Sequence, residues 1–403
     1  MQTPVQTDKD RAQPGYRQLF REMYKQNIRK YSMMIALVLI MLLFQVLTDG
    51  ILLRPLNITN LILQNSYILI LAIGMMLVII MGHIDLSVGS VAAFVGAVSA
   101  MMMVEHDMPL FAAVILSLLL GALIGAWQGF WIAYVKIPAF IVTLAGMLLF
   151  RGLTMIVLEG KSIAPFPVSF QRMASGFIPD WFNGDMLHFT TIVIGIGLSI
   201  LYLLFCLQQR ALQKKYKFDL QGKGLFTVKV CFVMAIINLF TYILATYEGI
   251  PVILITLFIL IAGYSFVMKK TVIGRRIYAI GGNEKAAALS GIKTKRMTFM
   301  VFVNMGVLAA LSGLVFAARL NAATPKAGNL FELDAIAACF IGGASAYGGI
   351  GTIGGAIIGG LVMGVMNNGM SLLGLGIDWQ QAIKGLVLLM AVAFDIYNKN
   401  KAS

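Results

Sequence analysis

LILQNSYILILAIGMMLVIIMGHIDLSVGSVAAFVGAVSAMMMV, residues 61–104, contains two apolar runs, 61–81 and 86–104, parted by a short polar interruption. Each run is close to the roughly 20 residues that a helix needs to cross the hydrocarbon core of a bilayer. Runs of this kind recur along all 403 residues, which are 59% hydrophobic and only 12% charged. A soluble domain carries roughly 25% charged residues. The pattern indicates an all-α polytopic membrane protein. A membrane β-barrel would instead show alternating segments of about 10 residues, and the chain has none.

Working outward, twelve hydrophobic spans are expected at 31–48, 61–81, 86–104, 109–134, 137–158, 189–207, 230–247, 251–268, 297–318, 334–349, 351–373 and 379–397. They make one transmembrane domain, 31–397, between a basic segment, 1–30, and a tail, 398–403. The net charge of +14 would suggest nucleic acid in a soluble protein; here its placement argues for topology and no nucleic acid is expected. Lys and Arg outnumber Asp and Glu seven to three in 1–30, six to one in 208–229 and eight to one in 269–296, against two to three in 159–187. Cytoplasmic loops accumulate Lys and Arg. With the N-terminus inside, loops 208–229 and 269–296 and the Lys399/Lys401 tail fall on the cytoplasmic side, and 159–188 on the far side. The first thirty residues are polar and the first apolar run is long, without a small-residue cleavage site, which argues against a cleaved signal peptide. Cys206, Cys231 and Cys339 have neither zinc nor disulfide spacing.

Two interruptions inside apolar sequence stand out: GHIDLSVGS (82–90) and GGASAYGGIGTIGG (342–355). Glycine-broken segments in opposite halves can mark an internal repeat with the substrate path between its copies; two tight helix turns near the membrane surface explain them equally well. Asp85 suits a helix N-cap, or, as an ionisable group within the membrane, a translocation path or gate. Asn367 and Asn368 suit interhelical hydrogen bonds or contact with a polar solute. Arg151 and Lys384, near span ends, are expected to snorkel. Gly349, Gly351 and Gly354 spell a dinucleotide motif, but in membrane-grade sequence with no acid about 20 residues on. Gly351, Gly355 and Gly359, four residues apart, read instead as helix packing. No P-loop, metal-ligand set or catalytic triad occurs, so the chain is not expected to be an enzyme or to bind a metal.

GRRIYAIGGNEKAAALSGI (274–292) carries charge that no span could hold. Asn283 suits a helix N-cap, Glu284 the positive end of the helix and Gly291 the position past its end. Two turns alone are unstable in water, so this helix must pack on something. Its methyl-sized side chains, with Leu289 as single anchor, fit a shallow groove on another protein, or the helix lies on its own membrane domain.

GRRIYAIGGNEKAAALSGI resembles the cytoplasmic coupling loop of permease subunits of bacterial ABC sugar importers of the ribose/xylose/galactose class. GHIDLSVGS resembles that family's GGIDLSVGS, with His83 in place of its Gly, and residues 332–374 resemble its C-terminal signature. The resemblance runs over about 55–395, and the extra hydrophobic pair near 230–268 makes the chain most similar to the xylose or multiple-monosaccharide branch. It implies a type II importer fold in the bacterial inner membrane. The implied partners are a second copy of the chain, a cytoplasmic ATP-binding subunit dimer that holds ATP and Mg, an extracytoplasmic sugar-binding protein and a monosaccharide, with no cofactor in this chain. The implied coupling helix is Glu284 to Ser290, comprising Glu284, Ala286, Ala287, Leu289 and Ser290, flanked by Gly282, Asn283 and Gly291. The competing reading is an ion-coupled secondary sugar carrier with Asp85 as its ion site.

Overall fold

A computed structural model describes residues 33–182, 184, 187–216 and 222–400; segment 1–30 and residues 401–403 lie outside it. The chain opens with α1 (Met33–Leu47), α2 (Pro55–Ile80), α3 (Val88–Ala100), α4 (Leu110–Phe130), α5 (Ala139–Val157) and the short α6 (Val168–Ser175). It continues with α7 (Phe189–Lys215), α8 (Lys223–Ala245), α9 (Val252–Lys270), α10 (Val272–Gly282), α11 (Glu284–Leu289), α12 (Thr294–Leu320), α13 (Phe331–Ile341), α14 (Ile353–Leu372) and α15 (Ile377–Asn400). Wider π-type turns extend α3 to Glu105 and α4 to Val135. Among the described residues no strand forms, only the isolated bridges Ile163–Ala323 and Phe177–Pro251.

Nine of the described helices are long and apolar enough to cross a membrane. They coincide with nine of the twelve expected spans. The others are helical over Met33–Leu47, Phe331–Ile341 and Ile377–Asn400. The expected span 334–349 is therefore corrected. Its helix α13 has 11 residues, about 16 Å at 1.5 Å per residue, and Gly342 ends it. The loops are also more structured than expected. Within 208–229, α7 runs through Arg210 to Lys215, and within 159–188 α6 forms.

The helices sort into an inner and an outer set. The apolar stretch of α2 is 83% buried, whereas that of α9 is 17% buried. A helix hydrophobic all round belongs in the interior; α2, α3, α12 and α14 take that place. The outer helices expose large apolar side chains such as Phe111, Leu148 and Ile156. This is the surface a bilayer covers, and the protein is a multi-pass membrane protein.

Small residues bring the inner helices into backbone contact. A Cβ on Gly306 of α12 would stand 2.1 Å from the Gly121 oxygen of α4, and one on Gly313 2.1 Å from the Ala92 oxygen of α3. On α14, a Cβ on Gly355 would meet the Gly342 oxygen at 2.1 Å, and one on Gly359 the Ala338 oxygen at 1.9 Å. Gly355 and Gly359 thus seat α13 against α14, and Gly351 packs on Met76 of α2. Without a hydrophobic drive between helices in lipid, such close packing supplies the attraction.

Asn57 and Asn368 exchange two side-chain hydrogen bonds, at 2.8 and 3.0 Å, across α2 and α14. Asn368 is thus occupied by a neighbouring helix. Replacing Asn368 with leucine strips the Asn57 carbonyl of its partner, and a stability loss of about 1–3 kcal/mol is expected. Thermal unfolding in detergent checks this, and Asn57→Leu is expected to cost more, because the Asn57 amide also donates to the Leu52 carbonyl at 2.8 Å; an unchanged Asn368→Leu variant would refute the account.

Two charged residues expected to snorkel are held by partners. Lys384 pairs with Asp334 at 3.0 Å, and Arg151 donates to the Ala327 carbonyl at 2.8 Å.

Candidate functional site

The charged stretch 269–296 folds as two short helices at one end of the bundle. Thr271 begins α10, its hydroxyl accepting from the Gly274 N–H at 3.4 Å. Asn283 then leaves helical geometry (φ −163°) and its side chain accepts from the Ala286 N–H at 2.9 Å, starting α11. The helix spans Glu284–Leu289, and Ser290 closes it. Gly291 takes φ +82°, which a residue with a Cβ disfavours. The Ile292 N–H returns to the Ala287 carbonyl at 3.1 Å and the Gly291 N–H to Ala288 at 3.0 Å, the closure expected of a left-handed cap.

Only one side of this helix is used internally. Ala287 is buried, whereas Ala286, Ala288 and Ser290 are exposed and Leu289 is 90% exposed. A single leucine presented this fully, flanked by methyl-sized residues, is an anchor without a pocket among the described residues.

The base of the helix is interlocked with both glycine-broken segments. A Cβ on Gly281 would lie 1.7 Å from the Ile80 oxygen, at the end of α2, and 2.7 Å from the Gly349 nitrogen. The Gly349 N–H itself donates to the Ile80 carbonyl at 2.8 Å. The Tyr278 hydroxyl donates to the Gly351 carbonyl at 2.7 Å. The end of α2, with Gly82 just past it, and residues 348–351 therefore meet beneath residues 278–282, with the backbones of Ile80, Gly281 and Gly349 in direct contact.

Lys136, just past α4, bridges to Glu284 at 3.1 Å, with both side chains about half exposed (51% and 48%). Its hydrogen bond holds the Glu284 carboxyl below the ordinary carboxylate value. An exposed pair contributes at most about 1 kcal/mol, so it orients the helix more than it stabilises it. Beside the pair lies a cavity of about 340 Å³ lined by Gly82, His83, Lys136, Phe140, Glu284 and Thr298.

Asp85 is not the N-cap of α3; Ser87 is. The Asp85 carboxylate accepts from the Ser87 N–H at 2.8 Å and hydroxyl at 2.6 Å, closing a turn just before the helix. Its Oδ1 is taken up by Ser87, the residue before the helix, rather than by the first-turn N–H groups that an N-cap serves. Ser87 in turn meets Gln128, which donates to its hydroxyl at 2.8 Å. Asn367 stands apart from its neighbour: its buried Oδ1 has no hydrogen-bond partner among the described residues. Among the described residues, the cavity beside Glu284 is bordered by His83 and Ile84, next to Asp85, and Asn367 does not line it. Reasoning from sequence missed Gly281 and Ile80. The adjacent glycines 281–282 were the one available signal, while nothing about Ile80 distinguishes it from its apolar neighbours.

The family described as branched-chain amino acid transport system / permease component matches residues 57–392. The xylose transport system permease protein XylH of Escherichia coli (strain K12) is 39% identical over 379 residues, covering 93% of this chain and 94% of its own. That of Haemophilus influenzae is 39% identical over 376 residues, covering 93% and 98%. The ribose import permease protein RbsC of Bacillus subtilis (strain 168) is 35% identical over 368 residues, covering 91% and 93%. No solved structure matches the chain.

Proposed function

This chain belongs to the branched-chain amino acid transport system / permease component family, and from that premise we propose that it is the pore subunit of an ATP-driven monosaccharide importer. The sugar is xylose or a related pentose or hexose, since the similar permeases are named for xylose and ribose. The chain is non-catalytic. ATP and Mg are bound by a separate cytoplasmic ATPase dimer, two copies of this chain form the pore in the inner membrane, and an extracytoplasmic protein delivers the sugar.

The observation that carries this reading is α11: a capped helix whose Leu289 is 90% exposed, seated on a base locked to both broken segments. Leu289 fits a shallow groove on the ATPase. When the ATPase dimer closes, it draws α11, and Gly281 passes the displacement to Ile80 and Gly349 through backbone contact. Packed helices shift as units because close-packed interiors do not deform continuously. The end of α2 and the α13–α14 turn then move together, which alters access to the path between them. In this reading 269–296 faces the cytoplasm, and the far surface around 159–188 and 319–333 receives the delivery protein.

The test is an affinity pull-down from cross-linked native membranes, for the wild type and Gly291→Pro. Proline cannot adopt φ +82°, so the cap of α11 opens while the spans remain. A P-loop ATPase recovered with the wild type and lost from a folded variant supports the reading. Equal recovery from both removes α11 from the docking surface, and no ATPase from either turns attention to ion-coupled uptake.

A further inference from the structure

The segment between α12 and α13 turns back among the helices. Asn321 and Leu330 both take left-handed backbone angles, at φ +55° and +63°, and Gly328 lies between them at φ +68°. Gly328 packs on the first turn of α3: a Cβ on Gly89 would meet the Gly328 oxygen at 2.3 Å and the Glu332 Oε2 at 2.4 Å. Glu332, at the start of α13, is 6% exposed, and its Oε2 has no hydrogen-bond partner among the described residues. A buried carboxyl oxygen without a partner is costly, and such a group calls for a ligand or a role.

Arg151 reaches the same segment from α5. Its Nη1 donates to the Ala327 carbonyl at 2.8 Å, and its Nη2 lies 3.5 Å from the Asn329 Oδ1. Asn329 is exposed. Glu332 is within electrostatic reach of Arg151, Asp334 and Asp85, and Asp334 is already paired with Lys384.

We propose that Glu332, Arg151 and Asn329 form a subsite that receives the hydroxyl groups of a monosaccharide in transit; this rests on the transport reading above. The chemistry selects the ligand class. An anion would meet the carboxylates of Glu332 and Asp85, and a cation would meet the guanidinium of Arg151. A neutral polyol meets neither objection, because each hydroxyl both donates and accepts. The guanidinium fork supplies donors, Glu332 Oε2 an acceptor and the Asn329 amide both.

The experiment uses the whole importer in proteoliposomes, with its ATPase and delivery protein. Uptake of xylose, ribose and each monodeoxy-xylose is measured for the wild type, Glu332→Gln and Asn329→Ala. Because the delivery protein is the same throughout, its own selectivity cancels when each variant's sugar ranking is divided by that of the wild type. The expected result is that Glu332→Gln loses about tenfold or more of the discrimination at one hydroxyl position and little at the others, as when a built-in hydrogen-bonding group is removed. Asn329→Ala, at an exposed position, is expected to change a different hydroxyl position without threatening the fold. A uniform fall across all sugars, or an unchanged ranking in both variants, overturns the subsite alone. Absence of ATP-driven uptake by the wild type overturns the transport reading, and the subsite with it.

Discussion

Gly281→Ala is expected to abolish ATP-driven uptake while leaving most of the spans formed. The new methyl carbon would stand 1.7 Å from the Ile80 oxygen and 2.7 Å from the Gly349 nitrogen. Both are backbone atoms, so no side chain can rotate away. Overpacking a well-packed site typically costs about 1–3 kcal/mol, but here relief requires α10 to separate from the end of α2. That separation cuts the route by which α11 moves the broken segments, and it exposes the Gly349–Ile80 hydrogen bond. Gly354→Ala is the matched control: a Cβ there meets nothing within 4 Å, and alanine favours the helix by about 1 kcal/mol. Uptake and ATP hydrolysis, measured together, decide the matter. Wild-type uptake by Gly281→Ala would show that the junction is not closed in the working protein. Hydrolysis that continues without uptake would show that it is the transmission element.

Leu289→Asp acts on the other side of the same element. Leu289 is 90% exposed, so the chain alone loses almost nothing, and its unfolding temperature is expected to match the wild type. In the complex, a buried leucine is worth about 1.5–3 kcal/mol, and a carboxylate forced into an apolar groove adds a desolvation cost. Docking of the ATPase is expected to weaken by roughly a hundredfold or more, at 1.4 kcal/mol per factor of ten. Co-purification with the ATPase at graded protein concentration measures this. A variant that keeps full affinity would place the docking surface elsewhere on 269–296, with the exposed Arg275, Arg276 and Lys285 as the next residues to vary.

The two glycine-rich interruptions show where sequence reasoning stops. Their break in apolar sequence was legible, because a helix period cannot absorb GHIDLSVGS or GGASAYGGIGTIGG. Their meeting was not. Ile80 and Gly349 lie far apart in the chain, and hydrogen bonds between main-chain groups leave no trace in side-chain identity. Asn57 teaches the same lesson. The triplet at 57–59 fits a glycosylation acceptor, yet Asn57 is buried and committed to Asn368. Glu332 and Asp334 stood in plain view as two acids in an apolar run, but only the fold separates the one paired with Lys384 from the one left with a free oxygen.

By itself, the sequence determined that the chain is a helical membrane protein, where most of its helices lie, and that residues 283–291 form a capped two-turn helix. These properties depend on composition, run length and local capping chemistry, all short-range. It also carried the motifs that mark the permease family. Only the tertiary structure decided that Leu289 points away from its own chain, that Gly281 joins two distant interruptions, and that α13 stops after 11 residues. Each of these turns on which surfaces become neighbours. In a bundle where nearly every surface is apolar, hydrophobicity cannot specify the neighbour; contact between backbones at glycine and a few polar pairs specify it instead.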